Sequence, residues 1–206
     1  MCRFMFVLVL AICFAATPAL AGKYDEDVAR PYLTLSGGVS KVYGVDFDNV
    51  STVNSYRLTT DYGYNGMVAA GLAYRVGRIE LSGGYRYLKN DEIKINGAPA
   101  IPASGNVDAY DLLLSVFYDF NSDGTLSPYF GGGVGAARVN LNDGTINKKD
   151  IGFAYQLGAG INLNMSKSFA IDLGYRLLGV TNLDYGAVKM DGILFHNANM
   201  GLRFLF

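Results

Sequence analysis

Apolar and polar residues alternate along much of the chain. In residues 151–164, IGFAYQLGAGINLN, the odd positions carry Ile, Phe, Tyr, Leu, Ala, Ile and Leu, and the even positions carry Gly, Ala, Gln and Asn. A period of two residues is typical of a β-strand with one apolar and one polar face. The run exceeds the roughly 9–11 residues that a tilted strand needs to cross a membrane.

The same alternation recurs and predicts eight strands. In the fifth strand, PYFGGGVGAARV, glycines hide the period, and we use Arg138 to mark the polar face. The predicted strands span residues 32–42, 64–76, 79–89, 108–120, 128–139, 151–164, 168–178 and 193–206.

The predicted connections alternate between short and long. Gly77-Arg78 joins the second and third strands, whereas residues 43–63, 90–107, 140–150 and 179–192 form longer linkers rich in Asp, Asn, Gly and Lys. Short turns at one end, longer loops at the other and an even number of strands are typical of bacterial outer-membrane barrels. The sequence therefore predicts an all-β fold, a transmembrane eight-stranded antiparallel up-and-down β-barrel.

The N-terminus adds a targeting signal to this picture. Arg3 precedes an apolar run from Phe4 to Ala16, and Pro18 precedes a small-residue cleavage site at residues 19–21, as is typical of a secretory signal peptide. We assign residues 1–21 to the signal peptide and residues 22–206 to the barrel domain, with an uncleaved membrane anchor as the alternative. Both cysteines, Cys2 and Cys13, lie in the signal. A net charge of −1 gives no basic surplus for binding nucleic acid.

The polar face is expected to line the inside of the barrel. A soluble barrel would place its apolar face inside instead. The polar face contains Arg but no Lys, and the planar, permanently charged guanidinium suits a cramped interior better than an ammonium does. We expect Arg75 to pair with Glu80 across the hairpin. The predicted structural network in the lumen comprises Arg75, Glu80, Arg86, Asp111, Asp119, Arg138, Gln156, Asp172, Arg176 and Arg203.

The last strand has an apolar face that runs to the last residue. Because an open strand edge is not tolerated in lipid, this strand is expected to pair with the first. Its lipid-facing residues would be Met200, Leu202, Phe204 and Phe206, with Phe206 at the periplasmic interface.

Four segments support a family resemblance: GLAYRVGRIELSGGYRYL, SPYFGGGVGAARV, FAYQLGAGINLNMSKSFAIDLGYRLL and the terminal MGLRFLF. With these, the chain resembles the small outer-membrane barrels of the opacity-protein and OmpA membrane-domain type, and the surface-antigen barrels of Gram-negative bacteria. The resemblance implies a surface protein, antigenic or adhesive, without a cofactor. It also implies that the terminal Phe strand is a signal for the barrel-assembly machinery.

The sequence contains little that indicates a catalytic site. The only histidine, His196, is followed by Asn197 and Ala198, so the His-x-Ser pair of lipid A deacylase barrels is missing. No His/Cys cluster in the sequence could hold zinc, and we expect no cofactor and no metal site. A lipid-modifying enzyme and a narrow, low-conductance porin-like channel are the alternatives to a non-enzymatic surface antigen, adhesin or envelope-integrity protein.

Binding partners are expected at both the membrane surface and the outer loops. The expected partners are outer-membrane lipids with lipopolysaccharide, the assembly machinery and a host or matrix ligand, and we expect a monomer in the bacterial outer membrane. Aromatic residues are frequent in binding surfaces. The candidate loop contacts are Tyr43, Phe47, Tyr56 and Tyr62.

Overall fold

The structure, a computed structural model, describes residues 29–42, 45–49, 55–95, 101–102, 105–122, 124–142, 147–181, 183–184, 188–190 and 192–206. The predicted signal peptide and Tyr43 lie outside these residues. Within the described part of the chain, no helix is long and apolar enough to cross a membrane.

The described ranges contain thirteen strands. Their bounds are β1 (Arg30–Val42), β2 (Val45–Asn49), β3 (Ser55–Thr60), β4 (Gly63–Tyr74), β5 (Gly77–Ile95), β6 (Ile101–Pro102), β7 (Asn106–Asp119), β8 (Leu126–Asn142), β9 (Asn147–Ser166), β10 (Phe169–Thr181), β11 (Leu183–Asp184), β12 (Val188–Met190) and β13 (Ile193–Leu205).

Eight of these strands close into an antiparallel barrel. Their order is β1, β4, β5, β7, β8, β9, β10 and β13, and the ring closes because β13 pairs with β1 along its length. The backbone NH of Phe206 also donates to the carbonyl oxygen of Pro31, 2.9 Å away. This confirms the predicted barrel and the pairing of its last strand with its first.

The strands of the ring are staggered. A row of directly opposed residues that starts at Tyr87 of β5 returns to that strand at Gly77, ten residues away. Such a stagger requires the strands to tilt against the barrel axis. The row passes in turn through Tyr64, Val39, Ala198, Tyr175, Ala159, Phe130 and Tyr118.

Several barrel strands extend past the predicted bounds at the end with long loops. β5 has 19 residues and β9 has 20, about twice what a membrane crossing needs. The upper part of β5 pairs with β3, which continues through β2 to β12 and β11. The barrel wall thus continues into a small sheet made from segments that the sequence analysis treated as loops.

The outward face is apolar, as the alternation predicts. Exposed aliphatic residues occupy its middle, and aromatic residues gather towards both ends, as in the interfacial belts of membrane barrels. One belt contains Tyr74, Tyr118, Phe120, Phe130, Phe204 and Phe206, and the other contains Tyr62, Tyr64, Tyr85, Tyr87, Tyr110 and Phe153.

The turn between β4 and β5 lies two residues earlier in the chain than predicted. The turn consists of Arg75 and Val76, so Tyr74 lies opposite Gly77 and Glu80 lies opposite Gly71. A β-carbon on Gly77 would lie 2.4 Å from the carbonyl oxygen of Phe117 on β7. Gly77, predicted to be a turn residue, instead allows close strand packing. The predicted lumen position of Arg75 is therefore wrong, because Arg75 is exposed in the turn.

The predicted orientation of β8 is also wrong. Arg138 faces outwards between Tyr110 and Ile151 of the neighbouring strands, and Ala137 and Val139 face inwards. Ala137 and Val139 instead belong to a buried, mostly aliphatic cluster, in which the long charged side chain of an arginine would be costly to bury. Near the outer end of an outward face, the same side chain can extend towards the lipid headgroups and water.

Candidate functional site

The barrel interior contains a buried polar network. The structure places Glu80, Arg86, Asp111, Asp119, Gln156, Asp172, Arg176 and Arg203 inside, each less than a tenth exposed. Arg78, which was predicted to lie in the turn, is also inside the barrel and is 1% exposed. We call the set formed by these residues the lumen network. Within it the described ion pairs are Arg78–Asp119, Arg86–Asp111, Arg176–Glu80 and Arg203–Asp172.

Glu80 joins three strands at the centre of this network. Its Oε1 accepts a hydrogen bond from Nη1 of Arg176 on β10 at 3.0 Å, and its Oε2 accepts one from the Tyr32 hydroxyl of β1 at 3.0 Å. Because both carboxylate oxygens and both charges are matched, the buried pair avoids the main cost of desolvation. The predicted partner Arg75 takes no part in this arrangement.

A second group of contacts lies near the turn end of the barrel. Nη2 of Arg203 donates to Oδ2 of Asp172 at 2.6 Å, and the Tyr129 hydroxyl donates to Oδ1 of the same carboxylate at 2.8 Å. Nε of Arg203 lies 3.3 Å from the Thr34 hydroxyl oxygen. Asp172 thereby connects strands β8, β10 and β13 from the inside.

Aromatic rings cover the charges that hydrogen bonds leave partly unsatisfied. The guanidinium of Arg78 pairs with Asp119 and lies 4.6 Å from the ring centre of Phe117 and 4.3 Å from that of Tyr129. Arg176 lies 5.0 Å from the same Phe117 ring. A cation over an aromatic face is favourable, and more so when water is excluded. Tyr32, Phe117 and Tyr129 were not predicted as interior residues. The alternation places Tyr32 and Phe117 inside, whereas the wrong orientation of β8 placed Tyr129 outside.

A further polar layer lies inside the barrel, closer to the outer loops. Arg86 pairs with Asp111, and its Nε donates to Oδ1 of Asn197 at 2.9 Å. The Ser40 hydroxyl donates to the same oxygen at 2.6 Å. The Asn197 amide in turn donates to the backbone carbonyl of Arg176 at 3.0 Å, so this layer is connected to the one below.

The outer end of the interior is apolar, which the sequence analysis did not predict. The sequence predicts a polar lumen, and the alternation alone does not reveal that inward positions change from charged to aliphatic along a strand. We call this inward-facing group the apolar cap. It comprises Val42, Leu88, Val107, Ala109, Leu113, Ala137, Val139, Ala154, Leu178, Val180, Ile193 and Phe195.

The described interior is thus filled with side chains. Ion pairs lie towards the short turns, and the apolar cap lies towards the outer loops. An eight-stranded barrel encloses little more than the volume of its own side chains. Among the described residues, no group of three or more His, Cys, Asp or Glu could hold a metal ion. The charged groups are paired with one another, an arrangement suited to holding strands together.

His196 lies on the outward face, near the outer end of β13. Its Nδ1 is 2.5 Å from the hydroxyl oxygen of Tyr175 on β10, and Lys41 of β1 lies directly opposite it. This position agrees with the prediction of a histidine at the membrane rim.

The predicted loop contacts are only partly described. Phe47 and Tyr56 lie opposite each other on β2 and β3. Tyr62 is 68% exposed, and its ring lies 4.3 Å from Nζ of Lys41. Their role in binding stays a prediction.

The predicted lipid-facing residues at the end of β13 all point outwards. Met200, Leu202, Phe204 and Phe206 are between 37% and 63% exposed, and Leu205 is the last residue in the strand. Their position fits a lipid-facing row, and their role as an assembly signal stays a prediction.

Solved structures of outer-membrane barrels resemble this fold. The Neisserial surface protein A has a TM-score of 0.59 and 17% identity, covering 85% of this chain and 97% of that chain. OprG from Pseudomonas aeruginosa has a TM-score of 0.58 and 10% identity, covering 89% of this chain and 99% of that chain. At such identities the likeness supports the fold alone. Comparison with curated protein sequences finds no match.

Comparison with protein-family models identifies the family of this chain. The model for the outer membrane protein beta-barrel domain matches residues 6–206, which is nearly the whole chain. This match agrees with the closed ring of eight strands and the apolar outward face. The chain belongs to the outer membrane protein beta-barrel domain family, whose members lie in the bacterial outer membrane.

Proposed function

We propose that the protein is a non-enzymatic surface barrel that presents its outer loops to a host or matrix ligand. The observation behind this proposal is the contrast between the two parts of the molecule. The interior is filled by ion pairs and by the apolar cap. The wall meanwhile extends outwards through β5 and β9 into the sheet formed by β3, β2, β12 and β11. A filled barrel acts as an anchor, and binding then belongs to its outer extension.

The alternative functions have weaker support. A solute channel would need a continuous opening, but the described interior is closed in layers. A lipid-modifying enzyme would need a nucleophile activated by a neighbouring base. His196 contacts a tyrosine on the outward face, and Asn197, which follows it, is taken up by the lumen network. We therefore place the biological activity in the outer extension.

A loop exchange in whole cells tests the proposal. Residues 43–60 and 90–104 are each replaced by a short Gly-Ser linker, and binding of the cells to host cells and to immobilised matrix proteins is measured. The barrel should still fold because its eight strands pair below these segments, and binding should be lost. The control replaces residues 121–125 at the opposite end by a linker of equal length, which should leave binding intact. Binding that survives both outer deletions would contradict the proposal.

A further inference from the structure

A shallow apolar groove crosses the outward face of four neighbouring strands. It has a volume of about 550 Å³ and runs over β1, β13, β10 and β9. Small residues form much of its floor, and Tyr175 lies between Ala198 and Ala159 among the residues that line it. With neighbouring strands about 4.8 Å apart, the groove is roughly 14 Å long. Its outward-facing residues include Gly37, Val39, Ala159, Ala198 and Met200. We call this surface the lipid groove.

Two groups able to bind an anion lie directly above the lipid groove. Lys41 is opposite His196, two residues beyond Val39 on β1 and two residues before Ala198 on β13. Since residues two apart share a face of a strand, both side chains point outwards above the groove. The groove and the two polar groups therefore form one continuous surface.

Tyr175 connects the two parts of this surface. Its ring borders the lipid groove, and its hydroxyl oxygen lies 2.5 Å from Nδ1 of His196. When Nδ1 accepts a hydrogen bond from the Tyr175 hydroxyl, the ring proton of His196 is on Nε2, which makes Nε2 a hydrogen-bond donor. Lys41 lies 4.3 Å from the Tyr62 ring, which holds the ammonium at the level of the outer aromatic belt.

We propose that this surface binds one phosphorylated lipid of the outer leaflet, with an acyl chain in the lipid groove and a phosphate against Lys41 and His196. The occupant must satisfy an apolar groove below and a cation beside a hydrogen-bond donor above. A glycolipid of the lipid A type has phosphates on its sugars and several acyl chains, and it meets both requirements. The proposal concerns the barrel wall and is independent of what the loops bind.

The test measures which lipids the barrel retains. The protein is refolded into nanodiscs of phosphatidylcholine that contain bis-phosphorylated lipid A, and native mass spectrometry counts the lipids that leave the nanodisc with it. Parallel samples contain dephosphorylated lipid A or phosphatidylglycerol. One bound bis-phosphorylated lipid A is expected, with weak retention of the other two. Equal retention of dephosphorylated lipid A, or of phosphatidylglycerol, would overturn the proposal.

Variants then locate the site. Lys41→Gln combined with His196→Gln removes the cation and the imidazole, and Ala198→Phe fills the lipid groove from its floor. Each is expected to weaken lipid A retention by about tenfold. The first loses a charge-assisted contact with the phosphate, and the second loses the apolar contact with the acyl chain. Both changes lie on the outward face, so the barrel should still migrate as a folded, heat-modifiable band.

Matched controls separate the site from general surface properties. Lys149→Gln removes another exposed cation on the outer half of β9, and Ala136→Phe adds a ring to an outward position of β8 away from the groove. Neither should change retention. If the controls weaken binding as much as the site variants, or if the site variants bind normally, the surface is not a lipid site.

Discussion

At the scale of single residues, Arg75 and Arg78 are three positions apart yet lie in opposite environments. Arg75 is exposed in the turn, whereas Arg78 is 1% exposed and paired with Asp119. Arg78→Ala should lower the free energy of unfolding by roughly 3–5 kcal/mol because it leaves a buried carboxylate without its partner. Arg75→Ala should change it by less than about 0.5 kcal/mol. Urea unfolding in lipid vesicles measures both, and a larger effect for Arg75 would contradict the hairpin register.

Glu80 gives a second test because it bridges Arg176 and Tyr32. Glu80→Gln keeps the shape of the side chain but removes its charge, so the Arg176 guanidinium stays buried without a counter-ion. We expect a loss of about 3–5 kcal/mol in the free energy of unfolding. Asp61→Asn, at an exposed carboxylate, serves as the control. In the double variant with Arg176→Gln, part of the loss should be recovered, and strictly additive losses would argue against direct coupling.

At the scale of elements, the end of β13 has two separable roles. The Phe206 side chain is 57% exposed, and only its backbone NH bonds to β1. Deleting Phe206 should therefore leave refolding in detergent nearly unchanged and lower the amount of folded barrel in the outer membrane several-fold. Phe120→Ala, at a ring of the same belt that is 47% exposed, is the control and should leave that amount unchanged. Normal outer-membrane levels without Phe206 would contradict a terminal assembly signal.

Most elements could be predicted because two-residue alternation assigns each strand position to one face. The prediction failed where a glycine interrupts this relation. Gly77 resembles a turn residue, but it lies in β5 against the carbonyl oxygen of Phe117. In β8, glycines occupy both faces, so a single arginine determined the predicted orientation, and Arg138 faces out. Contacts that join distant strands, such as Arg176 with Glu80, depend on barrel stagger, which one sequence does not reveal.

At the scale of the whole molecule, charge and apolar volume are separated along the barrel axis. Most of the lumen network fills the part enclosed by the shorter turns, and the apolar cap fills the part towards the outer loops. The Arg86–Asp111 pair lies at the boundary, with Asp111 opposite Ala137 of the cap. A charged layer alone could hold water between its side chains. An aliphatic layer above it resists wetting, because apolar constrictions block ions by excluding water. The two layers therefore close the barrel by different physical means.

This double closure predicts that the refolded barrel conducts poorly. In planar bilayers it should show no steady open state, because an ion must cross the apolar cap without water and then separate buried ion pairs. Phe195→Ser, which places a hydroxyl in the cap, should at most add brief openings, since the Arg86–Asp111 layer lies beneath it. Combining Phe195→Ser with Arg86→Ser and Asp111→Ser removes both barriers on that side and should lengthen the openings. A large, stable open state of the unmodified protein would contradict the closed interior and favour the channel.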